Sequence, residues 1–534
     1  MTARPDVLLI LADDMGFSDI GCYGGEVDTP ALDRLGRDGV RFTQFYNTAR
    51  CSPSRASLLT GLHPHQVGVG ILNFDDAPDG YPGNLTEECV TVAEALKSAG
   101  YGTYLSGKWH LASDMETPNG AWPTRRGFDR VYGTLEGAGS FYQPRTLMRD
   151  EENVEDEGLR DDFFYTDAIS DNALGMIEEH DRARHDDPMF LYLAYTAPHW
   201  PLHAHDDDVA KYRGRFDKGW ERLREERLTR LVAEGIIDRG SQLSDPDPRV
   251  PSWEASEDKD WEARRMEVYA AQVDRMDQGI ARVLARLEEL GRLDNTLVVF
   301  LSDNGGCAEE LPPETAKEFV TAFVPMKMQT RDGEEVVPGN HPGLMPGPES
   351  TYQTYGRAWA NLSNTPFREY KHWVHEGGIS TPFLVHWPAG LADAEPLCTA
   401  PSQLVDVLPT LLEAAGADYP EQRDGRAVPP AEGQSLLPVL RGERADERTL
   451  CWEHEGNSAV RRGRWKLVRK HARDWELYDI DADRAERDDL AAAHADLVAE
   501  LSAVYEEWAQ RCGVIPREQV LELYRRRGYG LPEE

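Results

Sequence analysis

Long apolar runs are missing from this chain: no stretch approaches the roughly 20 consecutive apolar residues that a membrane-spanning helix requires, so a soluble protein is expected. Positive charge is also scarce, with 58 Lys and Arg against 95 Asp and Glu and a formal net charge of -37. A field of that sign repels nucleic acid and anionic membranes, so neither is expected as a partner. Cysteines number only seven, at positions 22, 51, 89, 307, 398, 451 and 512, with no Cys-x-x-Cys pair. That spacing argues against a zinc ribbon or a dense disulfide framework and for reduced thiols in a reducing compartment. The start, Met1-Thr-Ala-Arg-Pro-Asp followed by Val7-Leu-Leu-Ile-Leu, lacks the basic region and cleavage site of a secretory leader, so cytoplasmic residence is the expectation. Internal repeats and low-complexity tracts are lacking too, which removes solenoid architectures.

What is present is enough chain for more than one core. At 534 residues the sequence exceeds the length of about 250–300 residues at which a single core stops growing. A large domain over residues 1–420 and a smaller one over 421–534 are expected. Residues 6–12 form an apolar run that ends in Asp13-Asp14, and Leu297-Val-Val-Phe-Leu-Ser repeats the design before Asp303-Asn304. Between them, Val90–Ala99 and Asp167–His180 read as helices, Gly102–Leu105 and Met189–Tyr195 as strands. Alternation of this kind predicts an α/β fold, a large mixed and mostly parallel sheet flanked by helices. Ligands in such folds gather at the carboxyl ends of strands.

Arg264–Leu290 has apolar residues at helical spacing, whereas residues 203–262 read as a surface excursion of short helices over the sheet edge and residues 305–365 as a long loop system. A helix is expected near Leu404–Ala415. Beyond it, Leu450–Glu453, Ser458–Val460 and Trp465–Val468 alternate like antiparallel strands, and Ala491–Gln510 supplies a helix, giving a smaller C-terminal α+β unit.

Asp13, Asp14, Asp303 and Asn304 offer hard oxygen donors at two strand ends, the set favoured by calcium or magnesium; the bland alternative is turn residues satisfied by backbone amides. In Cys51-Ser-Pro53-Ser54-Arg55-Ala-Ser-Leu-Leu-Thr60-Gly61, Pro53 suits a first helical turn and Gly61 a helix end, which places Cys51 at the positive pole of a short helix. Arg55, about one turn on, adds a permanent charge. A buried structural cysteine is one alternative; a cysteine phosphatase is another, but its phosphate loop is longer than the three residues between Cys51 and Arg55.

The Cys51-x-Pro53-Ser54-Arg55 segment with Leu59-Thr60-Gly61 resembles the signature of type I sulfatases, of the alkaline phosphatase-like superfamily. Gly107-Lys108-Trp109-His110, Thr196-Ala-Pro198-His199-x-Pro201 and Pro366-x-x-x-x-Lys371-x-x-x-x-Glu376-Gly377-Gly378 resemble later segments of that family. In extended chain Lys108 and His110 project to the same side. The likeness runs on through Trp465-Lys-Leu-Val and Glu476-Leu-Tyr-Asp and is strongest to bacterial arylsulfatases without a signal peptide, which also carry the segment represented by Gly219-Trp220 and Met266-Glu-Val-Tyr-Ala. One departure is Ser380, where the family commonly has Arg after Glu-Gly-Gly-Ile.

The resemblance implies that Cys51 is oxidised to formylglycine by a formylglycine-generating enzyme. It implies that Asp13, Asp14, Asp303, Asn304 and position 51 hold a divalent cation, Ca2+ with Mg2+ as alternative. The formylglycine hydrate is the implied nucleophile, Lys108 and Lys371 bind the sulfuryl oxygens, and Arg55 steadies position 51. His199 with Lys371 assists the leaving alcohol, and His110 takes the proton that lets sulfate depart. The substrate class implied is a small-molecule sulfate ester, aryl by resemblance, with alkyl and carbohydrate sulfates open. Two alternatives are a phosphonate monoester or phosphodiester hydrolase of the same superfamily and a catalytically silent binding protein with unmodified Cys51.

Overall fold

The structure is a computed structural model that describes residues 4–324 and 326–528; Met1, Thr2 and Ala3 of the start read above lie outside them. Asp6–Ala12, Met189–Ala194 and Thr296–Ser302 are strands because they are continuous apolar runs, and every residue of each is buried. Successive side chains of a strand point to opposite faces, and here both faces are covered. Leu8, Ile10, Leu191, Leu193, Val298 and Phe300 pack into one core layer with Ile169, Met176, Met266, Val273 and Ile280 of the helices Tyr165–Arg184 and Lys259–Glu289. Val7, Leu9, Leu11, Phe190, Tyr192, Leu297 and Val299 pack into the other, against Leu58, Leu96, Leu408 and Leu411.

Among the described residues the main sheet has ten strands. Its centre is parallel, in the order Thr296–Ser302, Asp6–Ala12, Met189–Ala194, Gly102–Gly107 and Arg130–Thr134. Phe383–His386 runs antiparallel beside Thr296–Ser302, and Leu147–Arg149 antiparallel beside Arg130–Thr134, so the sheet is mixed at its margins. A separate antiparallel sheet of Thr449–His454, Asn457–Arg462, Trp465–Arg469 and Glu476–Asp479 carries the helix Ala495–Cys512 on one face. The α/β architecture with a smaller antiparallel sheet is thus borne out. No helix among the described residues is long and apolar enough to cross a membrane.

Two readings need adjustment. Residues 203–262 do carry short helices and are partly exposed, but they are more than a surface excursion: the helix Trp220–Ala233 buries one face, and Trp220, Trp253 and Trp359 meet edge to face with centroids 4.9, 5.4 and 5.9 Å apart. Arg227 of this helix is fully buried, with Nη1 2.7 Å from Asp19 Oδ1 and Nη2 2.7 Å from Glu26 Oε1. Burial there rests on isolated aromatics and a paired arginine, which leave no apolar period. Residues 305–365 contain two helices, Pro313–Phe323 and Gly356–Ser363, in what reads as loop.

The small sheet is joined to the large unit by buried ions. Lys466 Nζ lies 2.9 Å from Glu376 Oε1 and 2.8 Å from Glu486 Oε1, with all three side chains fully buried. Glu376 also accepts from Tyr46 Oη at 3.0 Å and from Arg484 Nη2 at 3.1 Å. Removing one member of such a cluster leaves the rest charged and dry, which costs about 3–5 kcal/mol. Lys466→Met, which keeps the stem and deletes the charge, is expected to lower stability by that order in urea denaturation; an unchanged midpoint would show that the cluster does not hold the two sheets together.

Candidate active site

Asp6–Ala12 and Thr296–Ser302 pair in parallel with Ala12 opposite Ser302, so the residues that follow, Asp13-Asp14 and Asp303-Asn304, emerge side by side. The Asp303 N–H donates to Ala12 O at 3.1 Å and the Asp14 N–H to Asp303 Oδ1 at 3.1 Å. Asp14 has φ 66, a left-handed conformation that turns its carboxylate back toward the strand ends. None of the four side chains is more than 2% exposed. Asn304 Nδ2 donates to Asp14 Oδ1 at 2.7 Å.

Three cations meet these carboxylates. Lys108 Nζ is 2.6 Å from Asp13 Oδ2, Lys371 Nζ is 2.8 Å from Asp14 Oδ2, and Arg55 forks onto Asp303 Oδ2 with Nη2 at 2.9 Å and Nε at 3.2 Å. Arg55 Nη1 also donates to the Lys108 carbonyl at 3.1 Å, so this side chain ties the helix Cys51–Thr60 to the ends of Thr296–Ser302 and Gly102–Gly107. Cys51 is the first residue of that ten-residue helix, 2% exposed, at the pole where backbone N–H groups are unpaired. The helix ends at Gly61 with φ 67, as its sequence indicates. Burial pushes the Cys51 thiol up, against the Lys108 and Lys371 charges, so as a thiol it is neutral.

Lys108 reaches the site by a route that extended-chain alternation does not describe. Gly107 ends its strand at φ 123, where a Cβ would lie 1.8 Å from Ala194 O, and His110 has φ 58. The chain therefore turns through 107–110, and Lys108 and His110 converge by that turn. His110 is buried, its Nδ1 makes no hydrogen bond among the described residues, and its Nε2 is 3.8 Å from Glu136 Oε1. Burial, then the Lys108 and Arg55 charges, hold it well below the usual histidine range, so it is a neutral imidazole able to accept a proton.

His199 Nδ1 donates to the Trp200 carbonyl at 2.5 Å, which leaves Nε2 facing Lys371 Nζ at 3.4 Å and Asp14 Oδ2 at 3.3 Å. Burial holds His199 down at about 4, although the Asp14 charge pulls the other way. Burial opposes the charges of Asp14 and Lys371 as well, but each is outweighed by the other: Asp14 is held well below the carboxylate range and Lys371 well above the lysine range. Asp303 behaves differently. Burial and the Asp13 charge push it up to about 7, against Arg55 and Lys108.

Two oxygens in this cluster, Asp13 Oδ1 and Asn304 Oδ1, are buried without a hydrogen-bond partner among the described residues. Buried polar atoms are nearly always paired, so orphaned oxygens among three crowded carboxylates fit a hard divalent cation. Asp13, Asp14 and His199 place donor atoms within 4.8 Å of one another. Every residue singled out from sequence is therefore brought to one place. Glu136 beside His110, and Glu309, which accepts from Arg50 Nη1 at 2.8 Å and Trp200 Nε1 at 3.1 Å, were missed, because single glutamates in loops carry no spacing signal.

The Sulfatase family model matches residues 5–417. The chain belongs to the sulfatase family. A second model, N-sulphoglucosamine sulphohydrolase, C-terminal, matches residues 369–510. An arylsulfatase of Klebsiella aerogenes is 34% identical over 474 residues, covering 83% of this chain and 95% of its own. An uncharacterized sulfatase of Schizosaccharomyces pombe is 31% identical over 545 residues, covering 96% and 94%. Among solved structures, Ps i-CgsB in complex with a neocarrahexaose shares the fold at TM-score 0.67 and 23% identity, covering 99% of this chain and 98% of its own. This sulfatase is a sulfuric ester hydrolase.

At Ser380 the sulfatase supplies a guanidinium from elsewhere: Arg484 Nη2 donates to Ser380 Oγ at 3.2 Å and to Glu376, so an arginine from the small-sheet unit stands beside the serine. The strand end and the Lys371 loop also touch through backbone. The Gly305 N–H donates to Gly378 O at 3.0 Å, and a Cβ on Gly305 would meet Gly377 O at 1.9 Å. Gly305→Ala must separate Asp303-Asn304 from the loop bearing Lys371. It is expected to cost on the order of 1–3 kcal/mol in thermal stability and to lower kcat/KM on an aryl sulfate; wild-type values for both would show that this contact does not set the site.

Proposed function

We propose that this sulfatase acts as an arylsulfatase through a formylglycine formed at Cys51 and a divalent cation held by Asp13, Asp14, Asp303 and Asn304, releasing inorganic sulfate and a phenol or alcohol. The observation that carries the reading is the orphaned pair of buried oxygens, Asp13 Oδ1 and Asn304 Oδ1, in the carboxylate cluster that faces Cys51. Calcium is preferred by family likeness, and the same donors suit magnesium. When bound, the cation supplies Lewis-acid polarisation and the formylglycine supplies the hydrated aldehyde as nucleophile.

The chain's own residues do the rest. Asp13, Asp14 and Asp303 face Lys108, Lys371 and Arg55, three carboxylates against three permanent cations. With a divalent cation sharing the carboxylates, the ammonium groups of Lys108 and Lys371 would be free to bind the sulfuryl oxygens inside a chain whose net charge would repel them. Arg55 keeps its fork on Asp303 and so fixes the carboxylate that accepts the proton of the attacking hydroxyl. Lys371 holds a proton at Nζ and shares it with His199 Nε2, so the pair can pass a proton to the departing oxygen. His110, neutral and buried, accepts the proton that must leave position 51 before sulfate is released.

Within this reading residues 1–420 are the catalytic domain and 421–534 a supporting one, and a formylglycine-generating enzyme is the maturation partner. Residence in the reducing cytoplasm is part of it, supported by seven cysteines that are all free and buried.

The test is a comparison of initial rates on matched p-nitrophenyl sulfate and p-nitrophenyl phenylphosphonate, with Cys51→Ala alongside. The sulfate is expected to be the faster substrate, and Cys51→Ala to lower its kcat by on the order of 10⁴–10⁶ with an unchanged melting temperature. A faster phosphonate reaction would make this a phosphonate monoester hydrolase, and full activity without Cys51 would remove the nucleophile.

A further inference from the structure

A second group of metal-type donors lies outside the acidic cluster. The strands Thr449–His454 and Asn457–Arg462 are joined by Glu455-Gly456, with φ 51 and 87. His454 precedes this turn, and His372, next to Lys371 in sequence, meets it from the other unit. Donor atoms of His372, His454 and Glu455 lie within 4.8 Å of one another, and the two imidazole rings stand edge to face with centroids 5.3 Å apart. His454 is 1% exposed, and neither of its ring nitrogens has a hydrogen-bond partner among the described residues. An imidazole has at least one N–H to satisfy, so a fully unpaired ring in a dry site calls for a ligand.

We propose that His372, His454 and Glu455 form a second metal site, for a borderline divalent ion such as Zn2+. Two imidazoles and one carboxylate are the donor set of zinc rather than of calcium. His454 Nε2 is 3.6 Å from Glu455 Oε1, close to the separation of about 3.4 Å that tetrahedral bonds near 2.1 Å require of neighbouring ligands. Glu455 is already oriented: Arg517 Nη1 donates to its Oε2 at 2.5 Å and Tyr524 Oη to its Oε1 at 2.5 Å. Each carboxylate oxygen keeps a lone pair beyond those bonds, and hydrogen bonds of this kind fix a ligating carboxylate without displacing the ion.

Access is provided by a cavity of about 610 Å³, of which His372, Glu455, Asn457 and Arg517 form part of the wall. The ion binds His372 on one side and the hairpin turn on the other, so it clamps the small sheet to the segment that carries Lys371. The site shares no residue with the acidic cluster, where carboxylates outnumber the single imidazole of His199 and favour a harder ion.

Cobalt(II) reads the geometry directly. The full-length protein, stripped of metal with a chelator and given one equivalent of Co2+, is expected to show the intense visible bands of a four-coordinate ion, lost on adding Zn2+. Asp13→Asn is expected to keep the bands and His454→Gln to lose them. His372→Asn, altered at the half-buried member of the cluster, reports the same loss if His454→Gln does not fold. Absence of the bands in the wild-type protein, their persistence in both histidine variants, or their loss in Asp13→Asn alone would overturn the proposal.

Discussion

Asp13, Asp14 and Asp303 are buried together at adjacent strand ends of a chain that already carries a net charge of -37, and their mutual repulsion decides what must surround them. At an effective dielectric of about 20, two like charges about 4 Å apart repel by about 4 kcal/mol, a large share of the roughly 5–15 kcal/mol by which a native protein is stable. The response is visible in every neighbour. Arg55, Lys108 and Lys371 each close on one carboxylate, the Asp303 carboxyl is pushed up to about 7, and two oxygens have no hydrogen-bond partner among the described residues.

The fold exists around that constraint. Parallel pairing of Asp6–Ala12 with Thr296–Ser302 sets the acids side by side although they are far apart in sequence. Arg55 spans from the helix Cys51–Thr60 to Asp303 and to the Lys108 carbonyl, so one guanidinium ties the helix that begins at Cys51 to the ends of Thr296–Ser302 and Gly102–Gly107. The small sheet acts from behind: Lys466 and Arg484 hold Glu376, and Glu376 opens the short helix that follows the Lys371 loop.

Much of this was legible in sequence because it depends on local signals. The strand ends, the helix from Cys51 to Gly61 and the lysines and histidines of the site follow from apolar runs, from Pro53 and Gly61, and from the family-like segments. What was not legible depends on tertiary pairing. The buried tryptophan cluster around Trp220 has no period, and Arg227 is buried only because Asp19 and Glu26 meet it from another segment. The helix Arg517–Arg527 was not anticipated, and its Val520 and Tyr524 pack on Ile71 and Tyr81. Lys108 and His110 converge through positive φ at Gly107 and His110, a turn that strand alternation cannot anticipate. Arg484, remote in sequence, stands beside Ser380 through the same kind of tertiary pairing.

The central claim is that Cys51 works as an aldehyde rather than as a thiol. Mass spectrometry of the peptide spanning Cys51, on protein produced with and without a formylglycine-generating enzyme and assayed for sulfate release in the same samples, tests it most directly. The account predicts that the fraction of formylglycine at position 51 rises in step with sulfate release. Fully active protein with an unmodified Cys51 would contradict it.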